Sequence, residues 1–228
     1  MDFQQGLITT IHEYGLAKDP VPQLNEGLLK RPTSILIPCL FDEFSRPALK
    51  LIRGTLKELV NLNQLVIALS ASNREEVGEA RHFFKDMPFP VHVQWTNSPN
   101  VIELLKSQEN NGLDLLGNPG KGWAVWQGIG VATKKSEVVA LFDADIRTFS
   151  SNYPARMLAP LLEKSNGISY VKAYYSRLSL ETNALQGRAT RLFVGPLLSS
   201  LEQLIGNVPF LQYLQSFRYP LAGEFAFT

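Results

Sequence analysis

The chain has 228 residues, 45% of them hydrophobic and 19% charged, enough for one sizeable core, so a single α/β domain is the natural expectation. A formal charge of +1 offers no general basic field for nucleic acid. No run of about 18 apolar residues occurs to span a membrane, and the start carries Asp2, Glu13 and Asp19 rather than the basic and apolar regions of a signal peptide. The single Cys39 excludes an internal disulfide and agrees with a reducing, cytoplasmic setting. Three histidines (His12, His82, His92) without a cysteine cluster argue against structural zinc.

In chain order, residues 1–30 read as an N-terminal arm with one short helix, ending in a loop around Asp19-Pro20-Val21-Pro22, and residues 31–228 as the main domain. Thr33 to Pro38 is a short apolar run, rich in strand formers and stopped by Pro38, as in a buried parallel strand. Cys39, just beyond it, reads as a small buried hydrophobe. From Ser45 to Leu62, Leu49, Ile52, Leu56 and Leu59 recur at helical spacing, with Ser45 as N-cap and Pro47 in the first turn. A second strand is expected over Gln64–Leu69, a helix from about Arg74 to Phe84, and a third strand over Val91–Trp95. A helix over Val101–Ser107, a loop from Asn110 to Gly120, a helix over Lys121–Thr133 and a strand over Glu137–Phe142 follow. Such alternation predicts a doubly wound, mostly parallel sheet flanked by helices, with ligands beyond the carboxyl ends of its strands. The many Leu and Phe residues from Leu197 to Phe217 suit a core or a homodimer face.

The sharpest chemical feature is Asp143-Ala144-Asp145, directly after the last of these strands. Carboxylates two residues apart on an extended segment share a face, and their charges repel unless something positive sits beside them. A hard cation such as Mg2+ or Mn2+, completed by substrate phosphates, is one solution; an acidic loop capping the next helix is the other reading. Gly120-Lys121-Gly122 opens a helix, where free N–H groups and a lysine suit a phosphate, although an ordinary turn has the same composition. Gly187-Arg188-Ala189-Thr190 precedes an amphipathic stretch from Leu192 to Ile205. An arginine at a helix start is poorly placed for the helix dipole, which an anionic ligand would compensate; a surface arginine paired with an acid is the alternative. Glu224, after a rigid Tyr219-Pro220 turn, reads either as a site carboxylate or as a solvated acid near the chain end.

These pieces come in an order that resembles the retaining GT-A glycosyltransferases that make glucosyl-3-phosphoglycerate, with glucosylglycerate and mannosylglycerate synthases as relatives. The resemblance runs from about Ser34 onward and rests on Ile37-Pro38 with Asp42-Glu43, Gly120-Lys121-Gly122-Trp123-Ala124, Val139 to Ile146, Val171-Lys172-Ala173-Tyr174-Tyr175, Gly187 to Leu192 and Pro220-Leu221-Ala222-Gly223-Glu224. It implies a GT-A, Rossmann-like fold whose C-terminal part is truncated, since the family continues beyond Glu224 and supplies a further metal-ligating histidine there. It also implies donor contacts from Pro38, Cys39, Leu40, Glu43, Ser70, Gly120, Lys121 and Asp143. Asp145, assisted by Asp143, would hold Mg2+ or Mn2+; Arg188, Ala189 and Thr190 would hold a small three-carbon acid; Glu224 would touch the donor sugar. Glu43 is preferred over Asp42 as the acid after Pro38. The implied reaction transfers glucose from a nucleotide sugar, UDP-glucose, to 3-phosphoglycerate or glycerate with retention. A mannosyl transferase using GDP-mannose and a nucleotide-sugar-binding protein without turnover are alternatives. A nucleotidyltransferase would want a Gly-rich loop at the first strand, where Pro38-Cys39-Leu40-Phe41 stands instead.

Overall fold

The computed structural model describes residues 8–11, 15–108, 120–175, 177–179, 184–186 and 189–228. The chain forms two compact units, Gly15–Val171 with Glu224–Thr228, and Met1–Tyr14 with Lys172–Gly223.

The larger unit is built on β1 (Thr33–Leu40), β2 (Gln64–Ser70), β3 (Val91–Trp95), β4 (Val138–Leu141) and β8 (Phe225–Phe227). With β5 (Tyr170–Lys172) these make a six-stranded sheet in the order β3-β2-β1-β4-β8-β5. Strands β1 to β4 pair in parallel, and β8 joins β4 antiparallel. The mostly parallel α/β sheet expected from the alternation of elements is therefore present.

Strand β1 reads as a nearly unbroken apolar run because both faces are covered: every residue from Thr33 to Cys39 is buried. Side chains alternate, so Leu36 on β1 and Val66 and Ala68 on β2 face α5 (Lys121–Ala132), where Ala124 and Ala132 meet them. Ile35, Ile37, Leu65 and Ile67, all fully buried, fall on the opposite face. Gly128 brings α5 close to the sheet: a Cβ there would stand 2.4 Å from Leu36 Cδ1 and 3.2 Å from Ala68 Cβ.

Several boundaries differ from expectation for identifiable reasons. Strand β1 runs through Pro38 to Leu40, and Cys39 lies inside it. Its ladder to β4 ends at Leu36, so Pro38 has a partner strand on the β2 side alone and behaves as an edge residue, where a missing N–H costs no ladder bond. Ser45 does not cap a helix; it closes a 3-10 turn, Phe41–Ser45, by donating to Asp42 O at 2.8 Å. Helix α2 is Pro47–Leu56, with Pro47 in the first turn as expected, and the chain from Lys57 to Asn63 continues as turns that still bury Leu59 and Leu62. Helix α1 is Val21–Lys30, so the stretch expected as a loop around Asp19–Pro22 already contains its first residues. Helices α3 (Arg74–Phe83), α4 (Pro99–Gln108) and α6 (Asn152–Leu162) complete this unit. The loop expected from Asn110 onward lies outside the described residues up to 119.

The smaller unit holds the antiparallel pair β6 (Arg177–Ser179) and β7 (Ala184–Gln186), a π-helical turn over Thr190–Val194, and helices α7 (Gly195–Ile205) and α8 (Pro209–Ser216). Of the apolar residues on its two helices, Leu198 and Leu211 are buried, whereas Leu204, Ile205 and Phe210 are exposed. No described helix is long and apolar enough to cross a membrane.

The close approach at Gly128 makes a stability prediction. Gly128→Ala forces a methyl against two buried side chains and should cost about 1–3 kcal/mol. Gly130→Ala, on the same helix with nothing within 4 Å of its Cβ position, should be neutral or stabilise by up to ~1 kcal/mol through helix propensity. Urea unfolding midpoints compared at constant m-value check both.

Candidate functional site

Strands β2 and β3 spread to one side of β1, and β4 lies on the other. The direction of winding reverses between β1 and β4, and the crevice beyond their carboxyl ends is where such sheets take ligands. Two segments emerge at that switch point: the turn Phe41–Ser45 after β1, and Asp143-Ala144-Asp145 after β4.

The Asp pair leaves the sheet from a fully apolar anchor. Phe142 is buried and packs edge-on against Phe149 with ring centroids 5.4 Å apart. Asp143 is half-buried and Asp145 exposed, with Ala144 buried between them. Lys121, first residue of α5, reaches Asp143 Oδ1 with its ammonium. The positive charge that two neighbouring carboxylates require is thus supplied by the protein itself. The Gly120-Lys121 helix start and the Asp pair, separated by a helix and a strand in sequence, meet at one place. Among the described residues no group of three His, Cys, Asp or Glu side chains could hold a metal ion. A cation here would therefore rest on Asp143 and Asp145 and draw its remaining ligands from water or a bound phosphate, the donor set of Mg2+ or Mn2+ rather than of zinc.

The two acids of the turn after β1 differ in their surroundings. Asp42 is exposed, whereas Glu43 is 9% exposed. Arg46 Nη1 donates to Glu43 Oε1 at 2.7 Å, and Arg46 N–H to Glu43 O at 3.0 Å. Glu43 Oε2 is buried with no hydrogen-bond partner among the described residues. Burial, and secondarily the Glu43 charge, push the Cys39 thiol up to about 12, so it stays protonated and is no nucleophile at neutral pH. Leu40 is exposed at the strand end. Its register partner on β2 is Ser70, which brings that serine to the same edge.

Residues 95–97, for which the sequence suggested no role, hold the turn after β2. Thr96 Oγ1 lies 3.4 Å from Ser70 Oγ, and Asn97 bonds Ala71 twice, accepting from its N–H at 3.1 Å and donating to its carbonyl at 3.0 Å. Trp95 Nε1 donates to the same carbonyl at 3.0 Å. Gln127 of α5 braces this edge from behind, donating to Thr96 O at 3.3 Å. Their one sequence signal was position: they follow a strand ending at the ligand edge.

Glu224 is 2% exposed, which removes the reading as a solvated acid near the chain end. Its neighbour Phe225 pairs with Leu141, so Glu224 enters β8 at the edge from which Asp143 leaves. In the smaller unit, Lys172 Nζ donates to Ala222 O at 2.7 Å. There Thr190 opens the π-helical turn, its carbonyl accepting from Gly195 N–H, and its Oγ1 is buried with no hydrogen-bond partner among the described residues. π turns recur at functional sites. Ala189 is exposed beside it; Gly187 and Arg188 lie outside the described residues.

No protein-family model matches the chain. Among curated proteins it is 41% identical over 229 residues to the glucosyl-3-phosphoglycerate synthase of Methanococcoides burtonii, covering 100% of this chain and 56% of that protein. To the enzyme of the same name from Persephonella marina it is 34% identical, covering 99% of this chain and 56% of that protein. The chain thus spans just over half the length of these relatives. A crystal structure of the Mycobacterium tuberculosis glucosyl-3-phosphoglycerate synthase in complex with Mn2+, UDP-glucose and phosphoglyceric acid matches with a TM-score of 0.60 at 23% identity, over 96% of this chain and 63% of that one. The complex of that enzyme with Mg2+ and UDP matches with a TM-score of 0.61 at 23% identity, over 98% and 64%. The chain shares the GT-A fold of the Mycobacterium tuberculosis enzyme and is similar, along its whole length, to part of the two curated glucosyl-3-phosphoglycerate synthases.

Proposed function

We propose that this chain carries the donor-binding site of a retaining, metal-dependent glucosyltransferase that moves glucose from UDP-glucose to 3-phosphoglycerate or glycerate. One observation carries the reading: a buried acid with an unsatisfied oxygen (Glu43), a lysine at a helix start (Lys121) and two carboxylates (Asp143, Asp145) meet the carboxyl edge of the sheet at its switch point. These are the charges that the two ends of a nucleoside diphosphate need. Similarity to relatives named for this activity, and to an enzyme solved with Mn2+, UDP-glucose and phosphoglyceric acid, supports the same assignment.

In this reading Glu43 and Ser70, with Pro38, Cys39 and Leu40 beneath, receive the nucleoside. Lys121 and the helix start at Gly120 face the diphosphate. Asp145, with Asp143, holds a divalent cation, which neutralises charge on the leaving diphosphate. Lys121 adds to that stabilisation as the bond from the sugar C1 to the phosphate oxygen breaks. The acceptor hydroxyl attacks C1 from the same face and passes its proton to the departing phosphate oxygen. No carboxylate of the described site is needed as a covalent nucleophile on that course. Glu224 contacts the donor sugar, and Arg188, Ala189 and Thr190 hold the acceptor acid. The setting is cytoplasmic, and the exposed apolar side of α7 and α8 offers a homodimer contact.

Calorimetric titration with UDP-glucose should show binding that requires Mg2+ or Mn2+. Asp145→Ala should weaken it at least tenfold, about 1.4 kcal/mol. Metal-independent binding, or an unaffected Asp145→Ala variant, contradicts the reading.

The Lys121–Asp143 contact yields a second expectation of opposite sign for two ligands. Lys121 occupies a carboxylate that the cation needs, so Lys121→Met should tighten Mn2+ binding to the nucleotide-free protein several-fold, read from the free-Mn2+ electron paramagnetic resonance signal. The same substitution should weaken UDP binding. Unchanged or weaker Mn2+ binding would show that Lys121 does not compete for Asp143.

A further inference from the structure

We infer that Arg46 is a positioning residue for the nucleoside end of the donor, acting through Glu43; the inference rests on the donor site proposed above.

The turn that carries Glu43 is fixed independently of Arg46's side chain. Phe41 and Phe44 stack with centroids 5.6 Å apart, and Phe44 packs edge-on against Phe83 and Phe84 at 5.1 and 6.0 Å. Ser45 Oγ closes the turn on Asp42 O. The backbone is therefore pinned to an aromatic cluster beneath α3. What this packing does not set is the orientation of the Glu43 carboxylate, whose side chain is 11% exposed. Arg46 does so: its Nη1 holds Oε1 at 2.7 Å, so one oxygen is committed to a charge-assisted bond.

Oε2 has no hydrogen-bond partner among the described residues, although it is buried. An unsatisfied buried carboxylate oxygen is costly, and is tolerated where a ligand supplies the donor. A nucleoside offers such donors as ribose hydroxyls and, in a uracil base, an imide N–H. Arg46 itself keeps its side chain 57% exposed, so it acts on the ligand through the acid it holds. The hydrogen-bonded pair fixes which oxygen is offered. The diphosphate, by contrast, is handled by Lys121 and the Asp pair and should not sense Arg46.

The test is calorimetric titration of the full chain with UDP and with inorganic diphosphate, both in Mg2+. Wild type is compared with Arg46→Ala, Arg46→Lys, Glu43→Gln and the Arg46→Ala/Glu43→Gln double variant. Arg46→Ala and Glu43→Gln should each weaken UDP about tenfold, and the double variant should be no weaker than the worse single one, because both remove the same contact. Arg46→Lys should recover part of the loss, since a lysine restores the charge without the fork. Diphosphate affinity should stay at the wild-type value throughout, an outcome that general damage to the site would not give. Wild-type UDP affinity in Arg46→Ala, an additive double variant, or equal losses for diphosphate overturns the inference and leaves the donor site standing. Should Arg46→Ala fail to fold, Arg46→Lys decides, with a two- to fivefold loss of UDP affinity expected and none overturning it. Absence of UDP binding by wild type overturns the functional reading and this inference together.

Discussion

Asp143 and Asp145 stand two residues apart where the chain leaves β4 and turns, and like charges so close are eased by a cation beside them. In the structure that cation is Lys121, brought from the start of α5 to Asp143 Oδ1. Its ammonium is a compact charge on a flexible stem, half-exposed, and can exchange one anionic partner for another. In the proposed function, a cation on the carboxylates and a diphosphate on the lysine would replace that single contact with two, so that each ligand would favour the binding of the other.

The sheet makes this geometry possible. The reversal of winding between β1 and β4 leaves a crevice at their carboxyl ends, and the segments that enter it are the ones with charge. Close seating of α5 on β1 and β2, through Gly128, Ala124 and Ala132, fixes the depth of the helix whose first residue is Lys121. Glu43 depends on a different support, the aromatic cluster of Phe44, Phe83 and Phe84. Asp86 ties α2 to the chain after α3 by pairing with Lys57 and Arg53, whose hydrogen bonds lower its carboxyl to about 2. The carboxyl edge of the sheet is therefore carried by regular elements rather than by loops alone.

How much of this could be read from sequence depended on whether a signal was local. The strand before Asp143 was legible because a short apolar run ending in acids has few other uses in a parallel sheet. The helix at Lys121 was legible from its glycines. Pro38 misled because the cost of proline in a strand depends on which neighbour lies on which side, and the end of the β4 ladder at Leu36 is a tertiary fact. The preference for Glu43 over Asp42 rested on resemblance; that the 3-10 turn buries the one and exposes the other is a tertiary fact that no local pattern announced. Glu224 was ambiguous because β8 is only three residues long, too short for any alternation to show, yet its pairing with β4 buries the acid. Arg46, Thr96 and Asn97 carried no motif, since each acts by holding another residue.

The central claim is that one nucleotide spans the ends of β1 and β4. Hydrogen–deuterium exchange of the protein with and without UDP and Mg2+ tests it most directly. With a nucleotide across both ends, amides of the Leu40–Arg46 turn and of the Asp143–Arg147 segment should become protected together, with protection at the start of α5 around Lys121. Protection confined to one of these segments, or appearing elsewhere in the chain, would contradict it.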